Sequence, residues 1–243
     1  MLSKNTSGIL KDLQADIQRL EGFRLNGHSP VDMGLGTLND SFPNSTFPLG
    51  AVHEFLLEHS TDAAATIGFI GGLLSALMGS NGTAVWISSS RTLFPPALKS
   101  FGLEPDRFIF IDLKKEKDVI WAVDEALKCG GLSAVVGEMQ QLDFITSRRL
   151  QLSVEQSKVT GFVIRKNNRS LSTTACVSRW KITSLPSEPV DNLPGIGFPK
   201  WHVELLRMRN GKSGVWDIEW RDRKFIPVFK SPTYDHVQQK KVG

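Results

Sequence analysis

Apolar and polar positions divide the chain into three regimes. In the first, Ile9, Leu10, Leu13, Ile17 and Leu20 fall at three- and four-residue spacing, the stripe of an amphipathic helix. Ser7 or Gly8 can start it and Gly22 can end it. Such a stripe needs a cover, either the protein's own sheet or a partner. Residues 24–48 then lose periodicity to Gly, Pro, Asn and Ser and read as a long connector. From 50 to 165 short apolar runs alternate with helical patterns. Strands are expected at 51–57, 84–88, 108–111, 134–137 and 161–164, and helices at 62–79, 93–101, 117–129 and 143–157. Strands this short and this continuously apolar are covered on both faces. Their alternation with helices predicts a mostly parallel sheet with right-handed crossovers.

Beyond 165 the pattern changes. Residues 174–182 alternate as a strand, with Cys176, Trp180 and Ile182 on one face and Val177, Arg179 and Lys181 on the other. Residues 183–199 hold four prolines and two glycines and are irregular. Two further strands, 201–209 and 215–220, flank a turn carrying Asn210-Gly211, a hairpin signal. The polar end of the chain reads as a flexible tail. The expected organisation is an N-terminal helix and connector over 1–48, an α/β core with a C-terminal β-hairpin extension over 49–230, and a tail over 231–243.

Composition narrows the function classes. The 243 residues are 40% hydrophobic, with six Trp and fourteen Phe, enough for a substantial core. A net charge of +4 is compatible with a nucleic-acid or acidic partner and demands neither. Cys129 and Cys176 make neither a metal spacing nor a disulfide framework, and their small or apolar flanks read as buried free thiols. The apolar stretch 67–78 is too short to cross a bilayer, and the first residues carry no charged-then-apolar leader. A cytoplasmic protein without a membrane partner is the expectation.

The candidate chemistry centres on the first strand–loop–helix junction. A P-loop reads G-x-x-x-x-G-K-[ST], with glycines for close backbone approach and a Lys for the phosphates. The corresponding window here begins at Leu57, places Asp62 at the second Gly, Ala63 at the Lys and Ala64 at the hydroxyl. A carboxylate at a helix start caps N–H groups and repels an incoming anion. The junction therefore reads as a nucleotide site without its ligands, and an ATPase, a bound cofactor or a metal is not expected. Ser60 and Thr61 read as capping hydroxyls as readily as phosphate contacts.

Glu138 and Asp112 end apolar strands at the sheet edge where open α/β folds bind ligands. Without a Lys at 63, a solvated strand end is the favoured reading, or for Glu138 a partner to Arg165. Arg165, Lys166, Arg169, Arg179 and Lys181 form a run without acids, offering DNA-phosphate contacts or simply a solvated loop. On the C-terminal hairpin, Arg207 and Arg209 join Trp201 and Trp216 in a composition typical of binding hot spots. Cross-strand ion pairing and core packing are the alternatives. The five histidines are scattered without ligand spacing.

Several segments carry a family resemblance. Ser29-Pro-Val-Asp-Met-Gly-Leu-Gly, then Phe47-Pro-Leu-Gly-Ala-Val-His-Glu, then a loop and helix, resemble the start of a RecA-like recombinase core. Ala134-Val-Val-Gly-Glu-Met is placed like that core's second acidic-ended strand. Ser147-Arg-Arg-Leu-Gln-Leu-Ser-Val-Glu, Gly161-Phe-Val-Ile-Arg and the stretch from Trp201 to Trp216 are similar to the ImuA family, RecA-like accessory proteins of a damage-induced mutagenic polymerase cassette. The resemblance spans about 25–228. It implies a non-catalytic adaptor in SOS-type translesion synthesis, binding a Y-family polymerase homologue, with RecA itself, DNA and a second copy of the chain as further candidate partners. The stripe of Leu13, Ile17 and Leu20, the segment at Phe47, and Trp201, Arg207, Arg209 and Trp216 are the expected partner contacts. A single-stranded-DNA module, an atypical ATPase and a cell-division regulator are the alternative readings.

Overall fold

The apolar runs of the middle of the chain assemble into one sheet in the computed structural model, which describes residues 31–90, 92–166, 172–187 and 197–228. In chain order the elements are β1 (Val52–Leu56), α1 (Asp62–Met78), β2 (Ala84–Ser88), β3 (Phe108–Asp112), α2 (Glu116–Leu127), β4 (Ala134–Met139), α3 (Phe144–Ser157), β5 (Thr160–Arg165), β6 (Ser178–Leu185), β7 (Lys200–Met208), β8 (Gly214–Arg221) and β9 (Lys224–Pro227). The strand order is β3-β2-β4-β5-β1-β6-β7-β8-β9. The six strands from β3 to β6 are parallel. β7, β8 and β9 continue the sheet antiparallel. This is the expected α/β architecture with its C-terminal extension, lengthened by β9. The short turn before β9 holds Asp222 and Arg223 at positive φ and was not legible as a hairpin.

Two cores lie on the two faces of the sheet. Alternation along β1 sends Phe55 to one and Val52 to the other. The larger core packs α1 against Phe55, Trp86, Phe162, Trp180 and the aromatics of the extension. The smaller packs α2 and α3 against Val85, Val135 and Val163. The helix expected at 93–101 is a 3₁₀ segment, Pro95–Phe101. Its paired prolines remove the backbone donors a longer helix needs.

α1 is built to receive large rings. A Cβ at Gly68 would lie 2.9 Å from the Trp201 ring, and at Gly71 3.0 Å from Phe101. At Gly72 it would overlap Phe225 and Trp220. Trp201 sits edge-on to Phe69 at 6.1 Å, and Trp220 packs on Phe225 at 4.9 Å. The hairpin tryptophan Trp201 is thus core, seated on the helix through the missing side chains. Trp216 lies partly buried against the same core.

The connector expected over 24–48 is, from residue 31 onward, a wall of the larger core. Met33, Leu35, Leu38, Phe42 and Phe47 are all buried in it. Two short 3₁₀ turns, Gly36–Ser41 and Pro43–Ser45, spread these apolar side chains without a repeating period. The alternation expected over 174–182 also breaks. The strand starts at Ser178, and its pairing with β7 shifts register between Arg179 and Trp180. Cys176 therefore joins the smaller core while Val177, Trp180 and Ile182 join the larger. Cys129 is exposed, not buried, because it follows α2 into a Gly-Gly turn at the surface. The N-terminal stripe, including Leu13, Ile17 and Leu20, and the tail at 231–243 lie outside the described residues.

Gly72→Ala should destabilise the protein by about 1–3 kcal/mol in urea unfolding, because two rigid rings must shift. Gly131→Ala, with nothing within 4 Å of the added carbon, should change stability by roughly 0.5 kcal/mol or less.

Candidate functional site at the carboxyl edge of the sheet

The parallel strands β1, β2, β4 and β5 end together, and their last residues carry most of the polar chemistry noted in the sequence. α1 begins at Asp62, whose side chain turns back into the β1–α1 loop and accepts the His59 backbone N–H at 2.9 Å. The Asp62 N–H donates to the His59 carbonyl at 3.1 Å and the Ala63 N–H to the Ser60 carbonyl at 3.3 Å. The helix's leading donors are thereby used inside the loop. Thr61 occupies the N-cap position without a side-chain cap bond, so the loop is closed by the carboxylate and not by the hydroxyl expected at Ser60 or Thr61. Asp62 is buried, Ala63 half-buried and Ala64 exposed.

Glu138, at the end of β4, is buried, which corrects both readings made of it. It is neither a solvated strand end nor the partner of Arg165. Its Oε1 accepts the Trp86 indole N–H at 2.8 Å, its Oε2 accepts the Thr92 hydroxyl at 2.9 Å, and Lys166 Nζ lies 2.7 Å from Oε2. Lys166 also donates to Ser90. Burial is affordable here because a cation and two donors replace the lost hydration. Asp112, at the end of the edge strand, is exposed.

Arg165 turns into the protein, only 2% exposed, and its Nη1 lies 3.1 Å from Glu54 Oε1. Glu54 is fully buried on β1. Its Oε2 meets Arg179 Nε at 2.8 Å and the Thr174 hydroxyl at 2.9 Å. Arg179 also donates to the Ser172 carbonyl. Arg207 donates to the carbonyls of Thr174 and Cys176, and Arg209 to that of Ala175. Burial, with Arg179 nearby, lowers the Arg207 pKa. The run that read as a solvated loop, or as a set of DNA-phosphate contacts, is therefore invested, at Arg165, Lys166 and Arg179, in the buried carboxylates Glu54 and Glu138. Lys181 pairs with Glu58 and, at 3.4 Å, with Glu204, and the Glu58 bond raises its pKa. Arg169 lies outside the described residues.

On the hairpin, cross-strand pairing does not involve Arg207 or Arg209, which bond carbonyls, and joins other residues instead. Lys200 faces Glu219 at 3.7 Å, and His202 Nδ1 meets Asp217 at 2.6 Å across β7 and β8. Phe47 is buried and stacks on His53 at 4.4 Å. Among the described residues no three His, Cys, Asp or Glu side chains converge as a metal site would need, and no helix is long and apolar enough to cross a membrane.

His53, one of the histidines without ligand spacing in the sequence, is a core residue. It is fully buried between the Phe47 and Phe162 rings, with its two nitrogens on Ser178 Oγ at 2.6 Å and the Pro48 carbonyl at 2.8 Å. Desolvation lowers its pKa to about 4. On the opposite face, burial pushes the Cys176 thiol up to about 12. The sequence signal for the burial of His53 is its place inside the 51–57 strand, expected to be covered on both faces.

Comparison with known proteins places this arrangement. Protein ImuA from each of two strains of Caulobacter vibrioides is 32% identical to the chain over 202 residues, covering 78% of this chain and 82% of the relative. The chain belongs to the ImuA family. Cell division inhibitor SulA of Photorhabdus laumondii is 26% identical over 103 residues, covering 42% of this chain and 58% of that protein. No protein-family model matches the sequence. Membership of the ImuA family agrees with the resemblance carried by the Arg-Arg-Leu-Gln segment, which lies within α3 with Leu150 and Gln151 buried, and by the β7–β8 hairpin.

Two outcomes follow. Glu54→Ala should cost about 3–5 kcal/mol in urea unfolding, since it strands two arginines in the interior. Because His53 has a folded pKa of about 4 against an ordinary 6.5, the unfolded chain binds the extra proton first. Stability should be full above pH 6.5 and fall as pH drops from 6.5 to 4, by on the order of 3 kcal/mol. Denaturant melts across this window should show that slope, and His53→Gln should flatten it.

Proposed function

We propose that the protein is a non-catalytic accessory factor of damage-induced translesion synthesis, with a RecA-like core that works as an adaptor for a Y-family polymerase homologue. Family membership supports the setting of a mutagenic cassette. The observation that carries the non-catalytic reading is the β1–α1 loop. There the Asp62 carboxylate takes the His59 N–H that an oxyanion would otherwise seek, and Ala63 and Ala64 stand where a phosphate-binding Lys and a metal-binding hydroxyl belong in a P-loop.

The electrostatics point the same way. Lys166, one residue past the end of β5, is held by Glu138 and Ser90. A triphosphate brought to this edge would find Lys166 already paired with the buried Glu138 and the β1–α1 loop already holding the Asp62 carboxylate. The reading as a single-stranded-DNA module is the less supported one, because Arg165 and Arg179 are committed to Glu54 and a phosphate contact needs accessible cations. An adaptor acts through its surface, and RecA or the polymerase homologue is the class of partner this reading requires.

A second reading rests on the SulA relative. As a division inhibitor, the protein would produce filamentous cells on overexpression without DNA damage. As a cassette factor, its loss would lower damage-induced mutation frequency and leave division unchanged.

Titration calorimetry with ATP and Mg²⁺ tests the central claim. No saturable heat is expected from the native chain. The double variant Asp62→Gly with Ala63→Lys should gain measurable phosphate affinity, since it restores a nest of free N–H groups and a cation. Tight, saturable ATP binding by the native protein, abolished in Glu138→Ala, would overturn the non-catalytic reading.

A further inference from the structure

Of the six tryptophans, five are buried or half-buried and one, Trp121 on α2, is 64% exposed. α2 packs against α3, where the Ser153 hydroxyl and Arg149 Nε reach Asp124 at 2.8 and 3.4 Å. Both helices return from parallel strands and run the same way. One turn back from this contact, Trp121 therefore falls beside the turn between Ile145 and Arg149. Ile145 is 81% exposed, and Leu152, two turns farther along α3, is exposed on the same side. Lys117, Arg148 and Arg149 border these apolar side chains and are exposed as well. Arg148 lies 3.8 Å from Glu155, and a guanidinium with one carboxylate neighbour keeps donors to spare.

The sequence holds a segment that needs a surface of this kind, the stripe of Ile9, Leu10, Leu13, Ile17 and Leu20. At about 100° per residue, Asp16 and Asp12 border one margin of that stripe and Glu21 the other, while Lys11 and Arg19 lie farther round. An apolar stripe edged by carboxylates thus matches an apolar face edged by cations. Reach allows the match within one chain. Met33 is the first residue after position 30 to be buried, and Gly36 sits beside Pro227 of β9. α3 packs on β1, four strands from β9 in the sheet, or about 20 Å at roughly 4.8 Å per strand. Residues 21–32 span up to about 40 Å when extended, enough to round the β9 edge to the far face.

We infer that residues 9–20 of the same chain form a helix that packs its apolar stripe on the outer face of α2 and α3, over Trp121, Ile145 and Leu152, with the Asp12 and Asp16 margin toward the arginines of α3. The anchors on both sides are then removed from water together, and the carboxylates find the donors that Arg148 and Arg149 have left. A tether of this length presents its segment at roughly millimolar effective concentration. At micromolar protein the chain's own copy therefore outcompetes the same segment from a second molecule.

Crosslinking of the full chain tests this. Cys129 is exposed and Cys176 buried, so in a Cys129→Ser background the introduced thiols are the reactive ones. Ile17→Cys paired with Leu152→Cys should be joined within one chain by a short bis-maleimide, at a rate unchanged on dilution. Circular dichroism checks the fold, and Ile145→Cys replaces Leu152→Cys if that substitution disturbs α3. Leu13→Asp should slow the joining several-fold. Asp16→Arg should slow it too, and adding Arg148→Asp should restore it. Joining between two chains overturns the inference, since a second copy is then the occupant. So does joining indifferent to Leu13→Asp, a charge swap that fails to rescue, or no joining by cysteines that each react with a monofunctional maleimide.

Discussion

A fully buried carboxylate on the central strand sets the terms for much of this molecule. Glu54 on β1 is bound by Arg165 at the end of β5 and Arg179 at the start of β6, the two strands that flank it. Desolvating a charge costs several kcal/mol unless it is matched by a counter-charge and hydrogen bonds. Here the match comes from residues 111 and 125 positions away in sequence. The bond from Thr174 draws the segment leading into β6 against the same carboxylate, and Arg207 on β7 and Arg209 just past its end then anchor that segment by its carbonyls. One buried charge thus joins the parallel core to its antiparallel extension.

On the other face the joint is made by shape. The glycines of α1 let Trp201, Trp220 and Phe225 come close to the helix backbone. Glycines within a helix are ordinarily a weakness of roughly 0.5–1 kcal/mol each. Here the deficit is offset by the area those rings bury, on the order of 150–250 Å² apiece. The extension is therefore an integral layer of the core, with its edge strand β9 packed through Phe225 onto the helix.

How much of this was visible in the sequence depended on whether the cause was local. The alternation of apolar runs with helical stripes located β1 to β5 and the three α-helices of the described residues to within a few residues, because each element carries its own period and its own stops. Asp62 stood out because its position in a strand–loop–helix window is a local fact. The pairing of Arg165 and Arg179 with Glu54 was not legible, since no spacing rule links a strand at 54 to residues beyond 160. The basic run consequently looked exposed. Residues 31–48 looked like a tether because 3₁₀ turns and bends present buried side chains at irregular intervals. Cys129 looked buried because its neighbours are small, yet small residues at a helix end also make surface turns. The short β9 lacked the Gly that usually marks a tight hairpin, since Asp222 and Arg223 take positive φ themselves.

The closure of the β1–α1 loop by Asp62 reaches beyond chemistry. Proteins that fold around a nucleotide gain stability in proportion to the logarithm of its free concentration, so their persistence follows the energy state of the cell. A loop that supplies its own anion carries the equivalent of a permanent occupant. If, as proposed above, no nucleotide binds there, the order of this loop carries no such dependence on nucleotide concentration.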